Sequence, residues 1–439
     1  MAPLMTRQTA VSSAAFSMAV FVAAAAGERR AGAEADARQL EDAPSFGSFI
    51  DVYGRAYREG SAEYEERRTL YEQRVAEVHH HNSKQQRRWT AGINGLADRT
   101  SEELRSLRGW KRTALSDEQL ALAQVGESGP SRKADPLPEQ VNWHFLNSSK
   151  KQWEQGACGS CWAIASVALL EMHSEIYPVP DRTFSAQDLV SCVKNPNHCG
   201  GKGKCEGATI ELALDHAWKN GVATEKDVPY LGTNGVCEKP PSGFLEVGAR
   251  PRRRLRSAAG GNAQGTAQLL SWERSKFGMT GFRKLPSNQY LPLMEAVLEG
   301  PVGVSVAARD WSLYRSGVFE CVSKDAIIDH AVVLLGYGKE ELGKYWLLKN
   351  SWGEDWGING MMKLLRHDEE ETFCGIDDQP ELGSGCDGGP SEVEVCGSCG
   401  ILYDTVMPQF SGAVPASLRQ QALDSKETDL VADSGSMFW

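Results

Sequence analysis

The 439-residue chain has no excess of positive charge. Its 47 Lys and Arg stand against 58 Asp and Glu, a formal net charge of −11 at pH 7. That balance argues against a nucleic-acid partner and suits an acidic compartment, where protonated carboxylates relieve repulsion. Past Arg30 no apolar run is long enough to span a bilayer, so no stable membrane insertion is expected. There is no internal repeat, and no histidine lies between Glu238 and Met279. N-glycosylation acceptors are scarce: Asn147-Ser148-Ser149 is the one found. The hydrophobic content of 41% and charged content of 24% are those of an ordinary globular protein, and the length allows more than one domain.

What is present begins with Arg7, an apolar stretch from Ala14 to Ala26, the small residues Ala24-Ala25-Ala26, and then Glu28-Arg29-Arg30. This reads as a secretory signal peptide over residues 1–26, and predicts a soluble product in an oxidising lumen. Eleven cysteines fit that setting: ten can pair and one is left as a free thiol.

A prosegment-like region and a linker are expected over 27–136. Phe46, Phe49, Ile50, Tyr53 and Tyr57 recur at mostly helical steps. Glu63, Arg67, Tyr71, Arg74, Val78 and Asn82 follow at steps of four, four, three, four and four, along one face of a second helix. That mixed stripe predicts a surface made for a specific partner. Gly92, Asn94, Leu96 and Asp98 mark a short strand and turn before another helix. Residues 111–136 are polar and read as a linker.

A catalytic-type domain is expected over 137–382. Helices are predicted over Cys161 to Tyr177, with Ser160 as N-cap, and over Ser185 to Cys192 and Ala208 to Asn220. After Thr280 the pattern turns to strands: Pro301 to Ala307, Ala331 to Gly338 and Tyr345 to Lys349. The fold class is therefore α+β, a helical half followed by a β half. Residues 238–279 look inserted and carry Arg250-Pro251-Arg252-Arg253-Arg254-Leu255-Arg256, a solvated loop open to proteolysis. Residues 383–439 read as a Cys-containing C-terminal extension.

The chemistry is concentrated in three places. Gln155-Gly156-Ala157-Cys158-Gly159-Ser160-Cys161-Trp162-Ala163 puts a thiol at the start of an apolar helix. Asp329-His330-Ala331 supplies a base, and Lys349-Asn350-Ser351-Trp352-Gly353 supplies an orienting amide and a covering indole. A helix N-terminus and an adjacent imidazolium both stabilise a thiolate. Cys161 would attack a carbonyl, His330 would move the proton, Asn350 would hold the ring, and Gln155 with the Cys161 N–H would receive the oxyanion. The second Cys-Gly-Ser-Cys, from Cys396 to Cys399, lacks the flanking Gln and Trp and reads as structural disulfide material. His79-His80-His81 reads as a solvated helix end, so no metal is expected.

These three motifs, in this order, resemble those of the papain-like cysteine peptidases, cathepsin L-like group. The resemblance implies a two-lobed catalytic domain, a helical lobe against a β-barrel-like lobe. It implies a cysteine endopeptidase without cofactor, made as an acid-activated zymogen that acts on proteins or peptides. An exopeptidase and a non-catalytic binding or inhibitor protein are the alternatives. The stripe from Glu63 to Asn82 and the run Gly92, Asn94, Leu96, Asp98 resemble the family's inhibitory propeptide, with Tyr71, Arg74, Val78 and Leu96 as substitutions within it. That propeptide would lie backwards through the cleft, as intramolecular inhibitor of a monomer. A lysosomal, vacuolar or extracellular destination is implied.

The resemblance further implies the disulfides Cys158–Cys205, Cys192–Cys237 and Cys321–Cys374. Cys199, Cys386, Cys396 and Cys399 would then pair among themselves. It places Gly207, Ala208, Asp329 and Trp352 at the substrate. The pocket for the P2 residue would be lined by Ile210, Ser305, Ile328, Ala331 and Gln379, which suggests an apolar P2. Ala208 stands where the family usually has a second glycine. With no histidine-bearing loop between Glu238 and Met279, endopeptidase activity is favoured.

Overall fold

The computed structural model describes residues 43–109, 137–177, 183–237 and 277–425. The signal-peptide expectation, the linker, the arginine run and residues 426–439 lie outside the described residues. The chain divides into two compact units, residues 1–87 and 88–439. The boundary falls inside the expected prosegment, so residues 88–109 belong to the second unit.

The first unit is a helix pair. Phe46–Val52 is capped by Ser45, whose side chain accepts from the Ser48 N–H, and Ala62–Asn82 is capped by Ser61 in the same way. Both caps satisfy an N–H that the first turn leaves unpaired. The stripe predicted for a partner also builds the unit's own core. Tyr71 is buried, with its ring 4.7 Å from Phe49 and 5.6 Å from Phe46. Arg67 lies over the Tyr57 ring at 5.4 Å and pairs with Glu63 at 3.7 Å.

The second unit is built on a nine-stranded sheet. Its strands are β1 (Trp89–Ala91), β2 (Val141–Asn142), β3 (Met279–Lys284), β4 (Val302–Val306), β5 (Tyr314–Phe319), β6 (His330–Glu340), β7 (Gly343–Lys349), β8 (Met361–Leu365) and, after the ribbon β9 (Cys374–Asp377) and β10 (Val393–Cys396), β11 (Asp404–Phe410). The order is β1-β5-β8-β7-β6-β4-β11-β3, with β2 on β6. All pairs are antiparallel except β5 with β8. β4 and β8 are buried along their whole length and β7 from Tyr345 on, Ser305, Lys349 and Lys363 included, so both faces of these strands are covered.

The helices gather around Cys161–Ile176, a mostly apolar helix buried on nearly its whole circumference. Helices Ala186–Cys192 and Ile210–Asn220 pack on it, capped by the side chains of Ser185 and Thr209. Ser160 stands at the N-cap position but makes no side-chain cap bond. Its hydroxyl instead lies 2.5 Å from Tyr230 Oη.

Two expectations are corrected here. Within the expected extension 383–439, the described residues up to 425 are not appended to the domain, because β11 lies inside the sheet, pairing β4 on one side and β3 on the other. The third disulfide is Cys321–Cys399, not Cys321–Cys374; Cys374 pairs with Cys396 across the β9–β10 ribbon. Cys396 and Cys399 therefore do not pair within the leftover set, whereas Cys199 does pair with Cys386. The reason is topological. Cys399 lies at the end of β4, where its carbonyl accepts from Ala307 N at 3.0 Å, and it bonds Cys321 just past β5, while the ribbon's register sets Cys396 opposite Cys374. Cys158–Cys205 and Cys192–Cys237 complete the five, and Cys161 is the free thiol among the described residues.

Candidate active site

Cys161 opens its helix with the thiol buried at 4% exposure, where the helix's unpaired N–H groups favour negative charge. His330 opens β6 and Asn350 directly follows β7, and these neighbouring strands bring them together. His330 Nε2–H donates to Asn350 Oδ1 at 2.8 Å. That bond leaves Nδ1 buried and without a partner. Cys161 and His330 line one pocket, so Nδ1 is the nitrogen available to a thiol proton. Trp352 packs at 4.9 Å from the imidazole and shields the Asn350 bond, with Trp311 edge-on at 6.4 Å.

Gln155 is wholly buried. Its Oε1 accepts from Ser351 Oγ at 2.7 Å, which turns Nε2 toward the cleft. Nε2 donates to the Cys158 carbonyl at 2.9 Å and to the Leu107 carbonyl at 2.6 Å. Tyr230 fixes the same loop from behind, donating to Gln155 O at 2.8 Å.

Residues 107–109 thus lie in the cleft. Arg108 Nε stands 3.0 Å from Asp329 Oδ2, and Asp329 Oδ1 accepts from Ala308 N at 2.9 Å. Gly109 and Gly207 adopt positive φ, +82° and +90°, and meet closely. A Cβ on Gly207 would lie 2.3 Å from Gly109 O, so only glycine allows this approach. The lead-in is ordered by the Gly92–Asp98 run. Gly92 N donates to Leu313 O, Asn94 Nδ2 donates to Ser312 O, and Asn94 Oδ1 accepts from Leu96 N, each at 2.9 Å. Asp98 is fully buried, and Leu96 packs on the core.

Burial sets the charge state. It pushes the Cys161 thiol up to about 11, against a smaller lowering by backbone contact with Ala331. It also lowers His330 to about 4, against the Asn350 bond. With residues 107–109 in place, burial thus disfavours the charged form of each group, opposing the thiolate and imidazolium expected of the working pair. Burial likewise raises Asp329 to about 6, with Arg108 opposing it.

Of the residues expected at the substrate, Gly207, Ala208, Ser305, Asp329 and Ala331 line the pocket beside Cys161, together with Thr209 and Gly383. Three expected lining residues are elsewhere. Ile210 is buried against Gly303, Ile328 is buried with Ala326 and Val395, and Gln379 bonds its neighbour Asp378. Gln379 stands five residues after Cys374, and Cys374 is not the partner of Cys321. Counting from Cys399 instead reaches Asp404, buried beneath Ser305 and accepting from its Oγ at 2.6 Å. Asp404 also takes Lys284 Nζ at 2.7 Å. The sequence did carry a signal for this, because Cys399-Gly400-Ile401 repeats Cys374-Gly375-Ile376. Leu107 and Arg108 had no such signal. Asn147 is exposed at the start of helix Asn147–Lys150.

Comparison with known proteins follows the same lines. The family model described as papain family cysteine protease matches residues 137–383, and the one described as cathepsin propeptide inhibitor domain matches 46–104. The oryzain beta chain of Oryza sativa subsp. japonica is 30% identical, over 78% of this chain and 68% of its own. The senescence-specific cysteine protease SAG12 of Arabidopsis thaliana is 29% identical, over 75% and 86%. Among solved structures, digestive procathepsin L 3 of Tenebrio molitor larval midgut superposes with a TM-score of 0.59 at 21% identity, covering 83% of this chain and 97% of that one. Recombinant stem bromelain precursor gives 0.57 at 24%, covering 84% and 98%.

Proposed function

This chain belongs to the papain family of cysteine proteases, and from that premise we propose that it is a secreted or vacuolar zymogen whose peptidase centre is Cys161, His330, Asn350 and Gln155. The observation that carries the reading is the hydrogen bond from Gln155 Nε2 to the Leu107 carbonyl. A backbone carbonyl of the prosegment occupies the donor that an oxyanion needs.

Once the prosegment leaves, solvent reaches the pair and the proton can pass from Cys161 Sγ to His330 Nδ1. The thiolate adds to a peptide carbonyl, forming the C–S bond. The oxyanion takes the Gln155 Nε2–H and the Cys161 N–H. His330 returns its proton to the amine as the C–N bond breaks, leaving a thioester. Water, deprotonated by His330, then attacks the thioester, and the acid leaves with Cys161 restored. Ala208 and Ala331 give the pocket small walls that suit a compact apolar P2 side chain. An open cleft would make the enzyme an endopeptidase. No metal or organic cofactor enters any step. Among the described residues no helix is long and apolar enough to cross a membrane.

A thiol-labelling experiment tests the assignment. Cys161 should resist iodoacetamide in the intact proenzyme and react within minutes after acid processing, with activity lost in proportion. Equal labelling before and after processing would sink the reading of residues 107–109 as the block.

A further inference from the structure

After β8 the chain leaves the sheet and returns only at Cys399. We propose that this excursion forms a strap closing the acyl-side end of the cleft, so that the enzyme cleaves near substrate N-termini rather than within long chains. The proposal rests on the peptidase reading and narrows its substrate class to peptides with a short acyl side and a free amino terminus.

The strap is fixed to both walls. On the sheet side, Ile328 N donates to Asp377 Oδ2 at 3.0 Å, and Cys374–Cys396 locks the ribbon at its base. Gly383 lies so close to this wall that a Cβ there would stand 2.1 Å from Ile328 O. On the helical side, Gly200 N donates to Gly385 O, and Asp387 N to Asn197 O, both at 2.8 Å. Asp387 also meets His198 Nδ1 at 2.7 Å, and Cys386 is bonded to Cys199. Between Gly383 and Asp387 the backbone therefore passes from one wall to the other.

Where it crosses decides the consequence. Gly383 from the strap and Gly200 from the opposite wall line the same pocket as Cys161, Ala208, Ser305 and Ala331. The family resemblance gives that pocket to the P2 side chain. An extended substrate continuing beyond it would run into the strap backbone, which a covalent bond and several hydrogen bonds hold in place. The strap's charge points to what should end there. From Asp377 to Cys396 it carries Asp378, Glu381, Glu392 and Glu394 besides Asp377 and Asp387, with no Lys or Arg. That field favours an α-ammonium group over an uncharged blocking group or a further residue.

The test compares three fluorogenic substrates with one P2–P1 pair on the processed full-length enzyme: a dipeptide amide with a free amine, its N-acetylated form, and a hexapeptide. The free dipeptide should exceed the other two in kcat/KM by roughly tenfold or more. In the double variant Cys199→Ser/Cys386→Ser the hexapeptide should gain several-fold relative to the dipeptide. A second variant, replacing residues 384–389 by a Gly-Ser link together with Cys199→Ser, should give the same gain if the first one folds poorly. Equal kcat/KM for the dipeptide and the hexapeptide on the wild type would overturn the strap proposal, leaving it a structural cross-link. Failure of all three substrates, with no labelling of Cys161, would instead overturn the peptidase reading.

Discussion

Asn350 Oδ1 takes one imidazole nitrogen of His330 and leaves the other for the thiol, so two residues from adjacent strands fix a tautomer. Gln155 is aimed just as firmly, since Ser351 Oγ holds its carbonyl oxygen and leaves only the amide N–H groups to face the cleft. Gln155→Ala should therefore cut kcat by about a hundred- to a thousandfold, the usual loss for one oxyanion donor, with a smaller change in KM. Steady-state kinetics on the processed enzyme checks this. A drop confined to KM would show that Gln155 binds ground state and transition state equally. Tyr230 acts through Gln155 and Ser160, so Tyr230→Phe should leave the protein folded and lower kcat by less than Gln155→Ala does. All four central residues were legible in the sequence: Cys161, His330 and Asn350 fall at the ends of elements whose period is plain, and Gln155 lies in the loop that leads to Cys161. The pocket was not, because which side chains face it depends on how the chain returns from its excursion.

At the scale of elements, the sequence patterning located the helices around Cys161 and the apolar strands β4, β6 and β7 to within a few residues. It misread the C-terminal quarter for a physical reason. Two Cys-Gly-Ile runs compete for Cys321, and only the sheet decides between them, by placing β11 next to β4. Non-reducing peptide mapping should recover Cys321–Cys399 and Cys374–Cys396 from the native protein. Cys374→Ser should then free the thiol of Cys396 and not that of Cys321. A chain stopped at residue 382 would lose β11 from the middle of the sheet and should fail to fold, visible as loss of cooperative unfolding.

The root of the strap carries its own titration. Glu370 is buried and accepts from Ser398 N at 2.9 Å, Trp346 Nε1 at 3.2 Å and the His367 N–H. Burial pushes its carboxyl up to about 7. The folded state thus binds the proton more tightly than the unfolded chain does. Stability from this group is complete below about 4.5, the ordinary value of a glutamate, and is lost as pH rises toward 7. The loss is on the order of 3 kcal/mol at most. Glu370→Gln should flatten the fall in Tm across that window. An unchanged slope would show that another group sets it.

At the scale of the whole molecule, the prosegment's last described residues do two things at once: Leu107 fills the oxyanion donor, and the burial they share in keeps His330 near 4. Uncovering His330 returns it toward its ordinary value of 6.5, so below that pH the open state takes a proton from solvent wherever Cys161 keeps its own, and the closed state does not. The sign follows directly: a covered base with a lowered pKa holds the closed state most firmly above 6.5, and the closed state weakens as pH falls toward 4. Processing should accelerate through that window, measured as the half-time of prosegment loss at fixed ionic strength. Rates that are flat between pH 6.5 and 4 would remove His330 as the sensor.

The central claim is that Cys161 is the nucleophile of a peptidase held shut by its own prosegment. The most direct measurement is acid activation of the purified proenzyme near pH 5 with a reductant, beside Cys161→Ala, following mass by spectrometry and hydrolysis of fluorogenic peptides. The account predicts that the wild type alone sheds its prosegment and gains activity, while the variant stays whole and silent. A Cys161→Ala protein that processes itself and turns over substrate as the wild type does would contradict it.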